Sequence, residues 1–318
     1  DSDGVDEIVQ LSFGSRTQSG NSYYMPLNIR VLGYDSDAGG LTQLRGWTRR
    51  AGGYRYVGGA PYVMPHCFWF GDFVGNGTVQ MLRMNQTRGS ADGPLLASNH
   101  VILTDLMTGE EIYDTYEFLN DYWYPERVIV QDVDGDGRTE WCYAQSDSLR
   151  IYHYRNAPVP PDPEEEPLDP DDPEYEEPET EYAWQLALDK TVALPMSAFS
   201  IRTIVGDFNC DGLVDILSPS QYGSAWTMYS FDGEEFHSET TNVSQYLSGD
   251  EYIQMDVNHD NLPDLVRKRD GSLSALINER GQFSSGRIYD SVMALSDSTA
   301  LLPANTVRFR EEIGRAHV

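Results

Sequence analysis

Positive charge is scarce in this sequence. Its 318 residues hold 22 Lys and Arg against 51 Asp and Glu, a formal net charge of −29 at pH 7. Phosphate backbones are neutralised by clustered Lys and Arg, so this balance argues against nucleic acid as a partner. Cysteine is scarce too: Cys67, Cys142 and Cys210 leave at least one thiol unpaired and cannot build a disulfide framework. No run of about 18 apolar residues is present, so no helical membrane span can be read. Nor does any long stretch repeat apolar residues at i, i+3, i+4 and i+7, which leaves helices little part in the fold. The motifs H-E-x-x-H, G-x-S-x-G and the phosphate-binding glycine loop are missing. The six histidines (His66, His100, His153, His237, His259 and His317) show no ligand spacing. No enzymatic activity is expected from such a chain, and no catalytic residue is assigned.

What the sequence does hold is turn-forming and aromatic residues in quantity, with 28 Gly, 20 Tyr and 6 Trp, and a 40% hydrophobic content ample for a buried core. It also holds one motif around which the rest is arranged. Val205–Leu217 reads V-G-D-F-N-C-D-G-L-V-D-I-L. Asp207, Asn209 and Asp211 alternate, Gly212 turns the chain, and Asp215 follows four residues after Asp211. Three alternating oxygen side chains around a sharp turn can wrap one side of a hard cation. Asp215 closes the cage, and the carbonyl of Leu213 adds a further oxygen. Oxygen-only ligation with several carboxylates suits Ca2+ better than zinc or copper. Cys210 takes the fourth, non-ligand position, where a side chain should face outward.

The motif recurs. Asp132, Asp134, Asp136 and Glu140 form a complete copy with Arg138 offering the carbonyl. Asp256, Asn258, Asp260 and Asp264 form another, with Leu262 at the carbonyl position and Asn261 in place of the glycine. Asn is the next best residue for a left-handed turn. A copy with its first position cut off opens the chain, with Asp1, Asp3 and Glu7 as its acids. A degraded copy keeps Asp72, Asn76 and Gly77 but has Val74 and Gln80 where ligands belong, so no metal is expected there. About three calcium ions per chain follow. The copies recur every 50–70 residues or so, the mark of a repeat architecture. An EF-hand would need a Glu at the twelfth loop position and flanking helices. Those positions are Tyr143, Ser218 and Arg267, and the flanks Val128–Val130, Trp141–Tyr143 and Ile201–Val205 read as strands.

The segments G-D-F-N-C-D-G-L-V-D-I-L, D-V-D-G-D-G-R-T-E and D-V-N-H-D-N-L-P-D-L-V resemble the FG-GAP/VCBS repeats of integrin-α-type β-propellers. Asp270–Phe283 is similar to the hairpin that follows the loop in those repeats. The resemblance implies an all-β propeller of four-stranded antiparallel blades, about five of them visible over residues 1–312, with a calcium loop linking two strands of each blade. It implies a binding, adhesion or scaffold module of a larger extracellular or surface protein, bacterial by preference, with a protein or carbohydrate ligand. Two other parents fit the same motifs: an RHS- or toxin-complex-type secreted protein, and a polysaccharide-degrading enzyme using the propeller as an accessory or catalytic domain.

Two segments break the pattern. Residues 157–181 alternate Pro with Asp and Glu and carry no basic residue. They have too few apolar side chains to offset the entropy of ordering and read as a solvated, disordered linker between two blades. Residues 313–318 resemble a reading frame of a sequencing adapter and are set aside from the fold. The missing initiator Met and the opening inside a repeat read as an internal fragment of a longer chain.

Overall fold

The computed structural model describes residues 7–15, 17–19, 22–24, 26–35, 37, 39–49, 54–57, 60–63, 68–87, 98–115, 127–159, 180–199, 203–219, 225–244, 250–258, 260–269 and 272–286. Strands carry nearly all of the regular structure. Among the described residues there is no α-helix, and the one longer helical turn is the 3-10 segment Met196–Ala198.

The chain forms five antiparallel blades in sequence, arranged as a β-propeller. The first has three described strands, β1 (Ile8–Phe13), β4 (Leu27–Asp35) and β5 (Gly40–Arg49), with a small hairpin of β2 (Thr17–Ser19) and β3 (Ser22–Tyr24) between β1 and β4. A second small hairpin, β6 (Tyr54–Val57) with β7 (Ala60–Val63), follows. The second blade holds β8 (Phe68–Gly71), β9 (Gln80–Thr87), β10 (Ser98–Asp105) and β11 (Glu111–Thr115). The third holds β12 (Val128–Gln131), β13 (Glu140–Gln145), β14 (Ser148–Pro158) and β15 (Tyr182–Ala193). The fourth holds β16 (Ile204–Gly206), β17 (Asp215–Ser218), β18 (Ala225–Phe231) and β19 (Phe236–Ser244). The fifth holds β20 (Glu251–Met255), β21 (Asp264–Arg269), β22 (Ser272–Asn278) and β23 (Phe283–Gly286). In the last four blades each strand pairs with the next one in the chain, so each of these four is a simple meander.

Successive side chains of a strand point to opposite faces, and here both faces of an inner strand meet protein. Trp141 and Tyr143 of β13 pack toward the second blade, with Trp69, Leu82, Met84, Val101 and Leu103. Cys142 and Ala144, which alternate with them, pack toward the fourth blade with Val214, Ile216 and Phe231. All of β13 but its last residue is buried, which is why it reads as a continuous rather than an alternating apolar run. Ile204, Leu217, Trp226 and Met228 meet Tyr252, Leu265 and Phe283 of the fifth blade in the same way. Leu27, Ile29 and Val31 meet Phe68, Met81 and Leu106 across the first junction. The core is thus a series of slabs between blades. Polar bonds tie the slabs at their rims. Asn242 of β19 both donates to the Phe283 carbonyl (2.6 Å) and accepts the Phe283 N–H (2.8 Å).

One expectation is corrected here. The acidic segment of residues 157–181 does not link two blades. Its ends are the paired ends of β14 and β15: Pro158 lies opposite Tyr182, and the Val159 N–H donates to the Glu181 carbonyl at 2.8 Å. It therefore joins the third and fourth strands within one blade. Ala157, buried in the sheet, belongs to the strand and not to the insert. Residues 160–179 lie outside the described residues, as do 287–318 and with them the adapter-like tail.

Candidate metal centre

Each complete loop joins the first and second strands of its blade, β12 to β13, β16 to β17 and β20 to β21. The backbone of each is bent by residues of positive φ. At the sixth position Gly77, Gly137, Gly212 and Asn261 have φ of 78°, 86°, 88° and 68°. Asn261 thus adopts the left-handed turn expected of it. The fourth position is left-handed as well, in Gly75, Gly135 and Cys210 (φ 64°). Cys210 accepts a conformation that glycine holds more easily, and its side chain is exposed as the spacing requires.

Within the loops the first Asp organises the chain. Asp132 accepts the N–H of Gly135 on Oδ1 (2.7 Å) and of Gly137 on Oδ2 (3.0 Å). Asp207 accepts the N–H groups of Asp211 (3.1 Å) and Gly212 (3.0 Å), and Asp256 those of Asp260 (3.2 Å) and Asn261 (3.0 Å). The fifth-position acids bond two residues on: Asp136 to the Arg138 N–H, Asp211 to Leu213 and Asp260 to Leu262. Asn209 and Asn258 each donate through Nδ2 to the next acid, Asp211 or Asp260, at 2.8 Å.

The closing acids are different, because they are buried. Glu140, Asp215 and Asp264 have no exposed surface. Glu140 Oε2 accepts the Val133 N–H at 2.8 Å, while Oε1 has no hydrogen-bond donor. Asp215 Oδ2 accepts the N–H groups of Phe208 and Asn209. Its Oδ1 has no donor in hydrogen-bond geometry, although Ser230 stands opposite in the ladder and draws the acid downward. Asp264 has both oxygens served, by Val257 and Asn278. Burial pushes the Glu140 carboxyl up to about 9, and Asp134, Asp132 and Asp136 add to that rise while the Val133 N–H opposes it. Burial likewise pushes Asp215 up to about 6, with Asp211 adding to it. Asp132, Asp207 and Asp264 are raised for the same first reason, burial, and then by neighbouring acids. A buried carboxyl that the protein leaves without a partner is costly to ionise, and a dication in the loop would supply what is missing. One oxygen each from Asp132, Asp134 and Glu140 lie within 4.8 Å of one another. This donor set fits a hard divalent cation.

In the loop at Asp72 a side-chain amide stands where the other loops have their closing acid. Asp72 accepts the N–H groups of Gly75, Asn76 and Gly77, as Asp132 does its own. Gln80, fully buried, takes the place of the closing acid. Its Oε1 accepts the Val74 N–H at 3.2 Å. Its amide nitrogen donates to the Thr78 carbonyl (2.7 Å), the Thr78 hydroxyl (3.0 Å) and Asn76 Oδ1 (3.3 Å). Thr78 and Asn76 stand where Arg138 and Asp136 stand in the complete loop. The Gln80 amide therefore serves oxygens that a cation would otherwise hold. Of the opening copy, Asp1 and Asp3 lie outside the described residues, and Glu7 precedes β1 half-buried.

The loops touch their neighbours. The Thr139 N–H donates to the Asp72 carbonyl at 2.9 Å. A Cβ on Gly135 would stand 3.3 Å from the Gly212 carbonyl, and Asn278 donates to the Phe208 carbonyl at 2.8 Å. The loops at Asp72, Asp132 and Asp207 are thus each in contact with the neighbouring blade.

Histidine spacing in the sequence does not reveal His153, which the fold brings to the Asp132 loop. Trp141 pairs with Tyr152 across the two-residue turn Ser146–Asp147, so the next step of the ladder sets His153 opposite Glu140. His153 Nδ1 lies 3.5 Å from Glu140 Oε1, and Nε2 lies 3.6 Å from Asp134 Oδ2. The signal was in the hairpin register, which needs the turn to be known first. A second acidic group, Asp232, Glu235 and His237, sits wholly exposed on the β18–β19 turn. His237 Nε2 and Asp232 Oδ2, 2.7 Å apart, form an ordinary surface pair.

No protein-family model matches the chain, and no curated protein matches it. Among solved structures it is similar to a lectin of Agrocybe aegerita, described by its specific recognition of non-reducing terminal N-acetylglucosamine. That match has 11% identity and a TM-score of 0.48, over 89% of this chain and 66% of the lectin's. It is also similar to the Tc holotoxin pore of Photorhabdus luminescens, with 14% identity and a TM-score of 0.39, over 88% of this chain and 12% of that one. Likeness at this level carries no function from either protein to this chain.

Proposed function

We propose that this chain is a calcium-braced β-propeller of the FG-GAP/VCBS kind, acting as a binding module of a larger extracellular or surface protein. The observation that carries the metal reading is the buried closing acid. Glu140 and Asp215 are each enclosed with one oxygen that no donor serves, and around Glu140 the oxygens of Asp132 and Asp134 converge. A bound Ca2+ offsets the repulsion among these carboxylates, fixes the loop backbone and so stiffens the contact between blades. The ion performs no chemistry in this account. Binding is assigned to the propeller rather than to the ions, with a protein or carbohydrate as the ligand.

Elemental analysis after chelator treatment and dialysis against micromolar calcium tests the metal reading. About three ions per chain are expected, held by the loops at Asp132, Asp207 and Asp256. No retained calcium would overturn it. Glycan and protein arrays probed with and without chelator test the binding reading, which expects a partner whose capture weakens when calcium is removed. Turnover of a polysaccharide by the purified chain would overturn it in favour of an enzyme.

A further inference from the structure

The three complete loops are not alike. We infer that the Asp132 loop, together with His153, forms a mixed nitrogen–oxygen site that takes a first-row transition-metal dication, with zinc as the probe, in preference to calcium. The inference rests on the loops being metal sites, as proposed above, and separates one of them from the other two.

The first observation is the state of the two side chains that face each other. Glu140 has no exposed surface, and its Oε1, aimed at the imidazole, has no hydrogen-bond donor. His153 Nε2 is itself buried and has no hydrogen-bond partner. The second observation is spacing. Nε2 lies 3.6 Å from Asp134 Oδ2, too long for a hydrogen bond. Two ligands each roughly 2.0–2.1 Å from a tetrahedral zinc stand about 3.4 Å apart. The separation between His153 and Asp134 therefore suits two ligands sharing an ion. Ligand atoms of Asp134, Asp136 and His153 lie within 4.8 Å of one another, and Asp134 is shared with the set of Asp132 and Glu140.

The two ring nitrogens divide the work. Nδ1 faces the buried Glu140 carboxylate at 3.5 Å, so Glu140 stands behind the ring while Nε2 is turned toward Asp134. A carboxylate behind a ligating histidine is a common way of fixing tautomer and ring orientation. Asp189 Oδ2, 4.0 Å from Nε2, is the remaining acid on that side, and it is also approached by Arg155 at 3.7 Å. The fourth blade sets Ser230, not an imidazole, opposite its closing acid Asp215. An imidazole nitrogen is a good ligand for zinc, cobalt or nickel and a poor one for calcium. Asp136 is exposed and Asp134 half-buried, so the site opens to solvent.

The test strips the full chain with chelator and then adds Zn2+, or Co2+ for its visible bands, in the presence of excess calcium. The expected result is one zinc per chain beside about two calcium ions. His153→Gln should abolish the preference for zinc and admit a third calcium, while Asp211→Ala should leave the zinc in place. In the wild type, zinc should also move the His153 ring Nε2 resonance, a readout that does not depend on any variant folding. Three calcium ions with no zinc would overturn this inference and leave the calcium reading standing. An empty Asp132 loop that His153→Gln opens to calcium would also overturn it, making the imidazole an internal counter-charge. Zinc bound without any calcium would uphold it and overturn the calcium reading for the other loops.

Discussion

At the scale of single residues, the four loops show how one backbone shape is served by different chemistry. Gln80 closes its loop with an amide that both accepts and donates, so the loop is satisfied from within. Gln80→Ala should cost about 1–3 kcal/mol by leaving the Thr78 carbonyl and the Val74 N–H without their side-chain partner. It should leave the number of bound calcium ions unchanged, which denaturant melts and elemental analysis check together. Glu140 and Asp215 behave oppositely, and the metal-free protein should register it in its pH dependence. Glu140 rises from its ordinary 4.5 to about 9, and Asp215 from 3.8 to about 6. For a group raised on folding, the folded state binds the extra proton between the two values, so stability falls as pH rises through that window. Metal-free protein should therefore melt at a lower temperature at pH 8 than at pH 5. Calcium, which holds the acids ionised, should flatten or reverse the trend; a metal-free melt indifferent to pH would contradict the burial argument. The cysteines divide as sharply. Cys142 is enclosed between blades and its thiol is pushed well up by burial, whereas Cys210 is exposed. A thiol reagent followed by peptide mapping should label Cys210 in the native protein and Cys142 only on unfolding.

At the scale of strands and hairpins, the alternation of short apolar runs and Asp/Gly turns was enough to place most elements. Val101–Leu106 with Ile112–Phe118 reads as a hairpin and pairs as β10 with β11 over the described residues. Ala225–Phe231 and the Asp232–Gly233 turn read the same way and pair as β18 with β19. The acidic insert could not be placed, because its composition says only that it cannot pack, and not which strands it joins. The pairing of Pro158 with Tyr182 lies in the partners, not in the insert. His153 was hidden for a related reason: a ligand contributed by the neighbouring strand has no fixed sequence offset until the turn sets the register. Removing residues 160–179 and joining the strand ends with a short Gly/Ser turn should keep the blade intact, since closing a shorter loop costs no more entropy. A large fall in melting temperature would show that the insert packs. Burial ranks the aromatics in the same blade. Trp141→Ala, at the centre of the slab between the second and third blades, should cost about 3–5 kcal/mol. Trp184, on the outer strand and 54% exposed, should cost far less when changed in the same way.

At the scale of the whole molecule, successive blades are held by apolar slabs between them and by loops wedged against their neighbours. The loops were legible as a recurring acidic motif. Their contact with one another, through Thr139 and Asp72 or Asn278 and Phe208, was not, because it joins residues of different blades. Through that contact a cation held in one loop would brace the junction with the next blade. A cation that binds only the folded chain adds about 2.7 kcal/mol per site at a hundredfold excess over its Kd. The most direct test is therefore the melting temperature of wild type and Asp211→Ala measured across one calcium titration. The wild type should climb with calcium and fall back on chelation. The variant should climb less, because the Asp207 loop no longer holds its ion while the loops at Asp132 and Asp256 still do. Identical curves for the two proteins, or a wild type that calcium does not stabilise, would make the Asp207 loop a mere turn and contradict the account.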